Sequence, residues 1–174
     1  MSLMILPLLA VSCEKEGGGS GGGEFTIDNT LYGYGPYYAI GYSFGQGSKI
    51  STMESPGPDI TVHARTDAEG NVSGAYIDTP QLTESFALAG EFDTEEEAKN
   101  FFDRLTGPVS YTWSSYAGDV KKNQVWLFKT SGEDYVRIRI ISMLLSDTAE
   151  GPYVEMTAEW SMLPAGTKSS AVDG

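Results

Sequence analysis

One histidine and one cysteine, His63 and Cys13, limit the chemistry open to this 174-residue chain. Metal sites built on two histidines, Cys–His nucleophiles and His-dependent triads with a second base are out of reach. His63 lies in Asp59-Ile-Thr-Val-His-Ala-Arg65, where alternation puts it on the exposed face of a strand with Thr61 and Arg65, and no Gly-x-Ser-x-Gly elbow accompanies it. Asp67-Ala-Glu-Gly-Asn71, with Asp78 at the twelfth place, has some of the acids of a calcium loop. Val72 stands where the sixth-place glycine must be, so the segment reads as a hairpin turn. Carboxylate pairs for glycoside hydrolysis remain open among 24 acidic residues, yet most of these fall in turns, in a helix cap or on alternating outer faces, where solvation accounts for them. No catalytic residue and no metal ligand is assigned.

The side chains left to consider are aromatic and thioether. Tyr32, Tyr34, Tyr37 and Tyr38 cluster early, Trp113, Tyr116, Trp126 and Trp160 come late, and Met143, Met156 and Met162 flank the last strands. Core packing accounts for most of them, and an apolar slot lined by aromatics and methionines is the sharper reading.

These residues are positioned by a mainly β domain: an antiparallel β-sandwich-like or meander fold with one α-helix. Its centre is a meander of Gln124–Thr130, Tyr135–Ser142 and Pro152–Trp160. Val136, Ile138 and Ile140 alternate with Arg137 and Arg139; Val154, Met156, Ala158 and Trp160 alternate with Glu155, Thr157 and Glu159. That pattern predicts one buried face and an outer face where the arginines meet the glutamates. Further strands are expected over 38–44, 59–65, 72–77, 86–92 and 109–116. The helix is expected over about 94–105, opened by the capping box Thr94-Glu-Glu-Glu97, with Ala98, Phe101, Phe102 and Leu105 on one apolar face and Gly107-Pro108 as its stop. About 150 residues bury roughly two thirds of their unfolded surface, so the core needs no disulfide. A net charge of -13 excludes nucleic acid as a partner.

Cys13 takes its meaning from what precedes it. Met4-Ile-Leu-Pro-Leu-Leu-Ala-Val11 is apolar but too short to span a bilayer, and Ala10-Val-Ser-Cys13 closes it with small residues. This resembles the lipobox of bacterial lipoprotein signal peptides. The resemblance implies that residues 1–12 are a signal peptide and that Cys13 carries lipid as a membrane anchor. Residues 13–24, rich in Gly and Ser, would then be a flexible tether with a reach of about 20 Å. Residues 25–164 are the β-rich domain and 165–174 a tail expected to fray. Glu14-Lys-Glu16 after the cysteine resembles the surface-export signal of Bacteroidota lipoproteins, which implies an outer-membrane, lipid-anchored, cell-surface location. Asp147-Thr-Ala149 fits the O-glycosylation sequon of the same group, making Thr148 a candidate acceptor.

Two stretches of the domain are similar to the HmuY-like haem-binding lipoproteins of Bacteroidota: Tyr42–Ile50 with Pro58-Asp-Ile60, and Val125–Thr130 with Tyr135–Ile140 and the strand ending at Trp160. That family is β-rich, surface-anchored and non-enzymatic, and holds haem between paired His or paired Met ligands. A His pair is absent here, and no methionine pair aligns with the family's ligands. Met-ligated haem stays chemically open, and Met143, just past the expected strand end at Ser142, is the candidate rim ligand. The expectation is a surface-anchored, non-enzymatic protein binding haem or a similar apolar ligand. Its alternative is an accessory subunit that docks onto a protein or glycan.

Overall fold

Alternation on three adjacent strands decides which way the central sheet faces. In the computed structural model, which describes residues 21–80, 82–107 and 110–163, the chain is mainly β, antiparallel throughout, with one helix. The expected signal peptide (1–12), Cys13, most of the expected tether and the expected tail (165–174) lie outside the described residues. The expected meander is β7 (Gln124–Lys129), β8 (Tyr135–Thr148) and β9 (Gly151–Met162). Ile138 stands between Trp126 and Trp160, and Ile140 faces Ala158. Val136, Ile138, Ile140, Val154 and Met156 are all fully buried. β1 (Gly22–Asp28) and β6 (Phe86–Glu91) complete a five-stranded sheet in the order β1-β9-β8-β7-β6.

β8 runs past the expected end at Ser142 because its register with β9 shifts between Ile140 and Ser142. The extra residue inverts the alternation, as a β-bulge does. Met143 and Leu145 then fall opposite Met156 and Val154, on the side Ile140 faces. Met143 is therefore a strand residue, half-buried against the core, and not a residue of the rim.

One face of the sheet is covered by two ribbons, β2 (Ile40–Ser43) with β3 (Ser48–Ser51), and β4 (Thr61–Thr66) with β5 (Val72–Asp78). Tyr42 stacks on Phe25 at 4.2 Å, and the indole N–H of Trp160 donates to its hydroxyl at 3.1 Å. Backbone N–H groups of Tyr42 and Ile60 donate to each other's carbonyls, tying the two ribbons together. The approach is close enough that a Cβ on Gly41 would sit 2.3 Å from the Ile60 carbonyl oxygen. Only glycine fits there.

The other face is covered by α1 (Glu95–Arg104), and this corrects the expectation of an open charged surface. The helix starts as expected: Thr94 Oγ1 accepts from the Glu97 N–H, and the Glu97 carboxylate accepts from the Thr94 N–H. Phe102 and Leu105 are buried against Ala87, Val125 and Leu127 and Ala98 is buried as well, while Phe101 is only half-buried beside Phe92. Arg137 and Arg139 therefore lie beneath a helix. Arg137 donates to the carbonyls of Phe102, Asp103 and Leu105, and Arg139, 5% exposed, pairs with Glu159 at 2.9 Å. Glu155 takes no part, lying opposite Leu144 and accepting from the Tyr153 hydroxyl.

Two further expectations change. The tether was to reach residue 24, yet Gly22, Gly23 and Glu24 belong to β1 and face Ser161, Trp160 and Glu159. Main-chain pairing along β9 needs no side chain, so glycines join the ladder. Of the strand expected over 109–116, residues 110–116 make only a bridge, Ser114 to Phe86, and Ala117 then bridges to Ile77. This segment crosses from the main sheet to the β4–β5 ribbon instead of running along either.

Thr94→Ala is expected to cost about 1 kcal/mol, and Phe102→Ala, which opens a cavity between helix and sheet, about 3–5 kcal/mol. Phe101→Ala should fall between them. Urea unfolding midpoints of the three variants check the order.

Candidate functional site

The β4–β5 hairpin has an inner and an outer face. Val62, Ala75 and Ile77 enter the core, and the alternate positions His63, Arg65, Tyr76 and Asp78 turn outward. Register places His63 opposite Tyr76, Thr61 opposite Asp78, and Arg65 opposite Gly74. The hairpin closes through Asp67, whose carboxylate accepts from the backbone N–H groups of Asn71 and Glu69. Those bonds, led by Asn71, hold its pKa below the ordinary value. This is the expected turn, and among the described residues no group of three or more His, Cys, Asp or Glu is set to hold a metal ion.

His63 is half-buried, not exposed as its alternation suggested. Its ring stacks on Tyr76 at 5.0 Å and 20°, and its Nε2 hydrogen-bonds Thr61 Oγ1 at 2.9 Å. Burial pushes its pKa down, against the pull of the Asp78 carboxylate, so the neutral imidazole prevails at neutral pH. Tyr76 in turn meets Tyr116 edge-on at 6.1 Å and 77°. Tyr116 comes from the crossing segment, which is held in place by main-chain bonds. Ile77 and Ala117 exchange two, and the Val120 N–H donates to the Ala75 carbonyl. Arg65 Nη1 donates to Asp119 Oδ1 at 2.8 Å. A Cβ on Gly118 would lie 3.3 Å from both Arg65 Nη2 and Tyr116, so the glycine lets these two side chains sit close.

Arg65, Tyr76, Asp78, Ser115 and Tyr116 line an open cleft of about 300 Å³ above this hairpin. Its lining carries two tyrosine rings set at 77° to each other, one guanidinium, one carboxylate and one serine hydroxyl. Glycoside hydrolysis needs two carboxyl groups across the scissile bond. Asp78 is the one carboxylate in this lining, and Asp119 beside the cleft is paired with Arg65.

The residues singled out in the sequence lie elsewhere and apart from one another. Met143 and Met156 face each other across β8 and β9, the first half-buried and the second fully buried. A second cleft, of about 250 Å³, lies along Asn29–Leu31 and Thr148–Tyr153, and a third, of about 300 Å³, includes Met162 in its wall. Neither Met143 nor Met156 lines any of the three. Thr148 is exposed at the end of β8, where its hydroxyl donates to the Gly151 carbonyl and accepts from the Glu150 N–H. A glycan on Thr148 would remove the donated bond. Trp126 and Trp160 are core residues, whereas Tyr34 and Tyr37 stand in solvent. Cys13 lies outside the described residues.

Comparison with models of protein families, with curated proteins and with solved structures finds no match.

The unfolded chain takes up a proton on His63 near pH 6.5, and the folded chain only at lower pH. Stability from this group is complete above that value and is lost as pH falls below it. His63→Gln should therefore flatten the loss of stability between pH 7.5 and 5 relative to the wild type, as read by thermal unfolding across that range.

Proposed function

We propose that this chain is a lipid-anchored protein of the bacterial cell surface whose β domain binds a partner, without catalysis, through outward-facing side chains. The anchor rests on the lipobox-like run ending at Cys13 and the Gly/Ser segment after it. The binding reading rests on one observation: the open cleft above the β4–β5 hairpin, where Tyr76 and Tyr116 stand outside the packed core.

This favours docking onto a partner over enclosure of haem. A cofactor with a wide apolar face is held by burying most of its surface. Met143 packs against the core opposite Met156, and the three clefts, each of about 300 Å³ or less, are open to solvent. The location that follows is the outer membrane, with the domain displayed at the cell surface.

Two measurements test the proposal. Cys13→Ala should move the protein from the membrane fraction to the soluble one, and full retention on membranes would exclude the anchor. Titration of the full chain with haem should leave the Soret band unshifted. A saturable shift that Met143→Ala weakens by about tenfold, equivalent to about 1.4 kcal/mol, would restore haem as the ligand.

A further inference from the structure

We infer that the cleft between the β4–β5 hairpin and residues 115–119 is a subsite for a neutral saccharide, an assignment that rests on the partner-binding reading above. Four properties of the cleft point to this class. The first is the aromatic wall. His63 stacks on one face of Tyr76 and Tyr116 meets Tyr76 edge-on, which holds the pair in place, while Tyr116, 47% exposed, is the ring open to a ligand. The negative face of such a ring attracts polarised C–H groups, and a pyranose presents a row of these on one side.

The second is the polar complement. Arg65 and Asp78 share the lining with Tyr76, one a planar donor and the other an acceptor with two oxygens. Adjacent ring hydroxyls, each both donor and acceptor, match such a pair in the way that planar forks match two neighbouring oxygens. Ser115 adds a hydroxyl that serves in either sense.

The third is charge. Arg65 is already paired with Asp119, and Asp78 adds a negative charge within a chain of net charge -13. Phosphates, nucleic acids and dicarboxylates are repelled by that field. A quaternary ammonium, which an aromatic wall with a carboxylate would otherwise suit, meets the Arg65 guanidinium in the same lining. A neutral, hydroxyl-rich ligand is opposed by neither.

The fourth is shape. The cleft is open and about 300 Å³, at the lower end of the usual range for small-molecule sites. That is room for one or two sugar rings of a longer chain that enters and leaves along the surface. An apolar cofactor would stay mostly wet there.

The test uses the full chain with four neutral hexaoses, malto-, cello-, xylo- and β-1,4-manno-, by saturation-transfer NMR and calorimetry. At least one should bind saturably. Tyr116→Ala and Arg65→Ala should each weaken it by about tenfold or more, while Tyr34→Ala, at an exposed position outside the cleft lining, should not. Unchanged melting temperatures of the two cleft variants show that they fold. Binding by none of the four hexaoses overturns the inference, as does binding that both cleft variants retain in full. The anchor and haem measurements are read independently, so failure of the saccharide arm leaves their results standing.

Discussion

Two arginines on the inner side of a helix hold the fold's second layer. Arg137 and Arg139 are separated by about 7 Å along β8, and α1 is fastened at both ends by them. Arg137 donates to three carbonyls at the helix C-terminus, the groups a helix leaves unpaired, and its guanidinium lies 4.7 Å from the Phe102 ring. Arg139 reaches Glu159 on β9 and approaches Glu95 in the first turn at 3.8 Å. A buried guanidinium is tolerable only when paired, because leaving water costs several kcal/mol per ion. Sliding the helix along the sheet would strip Arg137 of its three carbonyls and part Arg139 from Glu95, though not from Glu159, so the apolar stripe of Ala98, Phe102 and Leu105 is seated in one place. Lys99, bonded to Asp103 and 3.3 Å from Glu159, extends the same network to the helix surface.

The opposite layer depends on geometry more than on charge. The bulge at Ile141 keeps β8 in contact with the ribbons for longer than a regular strand would be. Met143 rejoins the core, and β8 and β9 continue together to the turn at Thr148–Gly151. There the Asp147 carboxylate accepts from the Val72 N–H and so pins the start of β5 to the end of β8. The outer face of the hairpin, where the cleft lies, is thus carried on a rigid support. Its main-chain links are to β2 at Ile60 and to the crossing segment at Ile77 and Ala75.

Much of this architecture is legible in the residues. The helix, its cap and its buried stripe follow from spacing, and so do the meander and the inward set from Val136 to Ile140. The direction of Arg137 and Arg139 was legible, but their burial was not: alternation says which face a side chain is on, never what covers that face. The length of β8 was hidden because a one-residue bulge reverses the parity on which the reading depends. Gly22 and Gly23 looked like tether since a glycine has nothing to bury, although it can still pair its backbone. The cleft was half legible. Tyr76 and Arg65 are outward by alternation, whereas Tyr116 joins them through a crossing segment with no period, and its neighbour could be found only in three dimensions. His63 was judged by its face and proved half-buried because Tyr76 covers it.

The attachment of β1 has a mechanical consequence. The chain enters this strand at Gly22, opposite Ser161, and leaves it at Asp28, opposite Glu155. The far end of the sheet is where the Thr148–Gly151 turn and the Asp147–Val72 bond lie. A pull applied at Gly22 and resisted at that far end acts along the strand axis, and the ladder bonds between β1 and β9 lie across it. The seven paired positions then bear the load in shear and must yield together, whereas a pull across the strand would unzip them one at a time. Force that enters at the N-terminal end of β1 and leaves at the Val72 hairpin therefore meets the sheet in its strong direction.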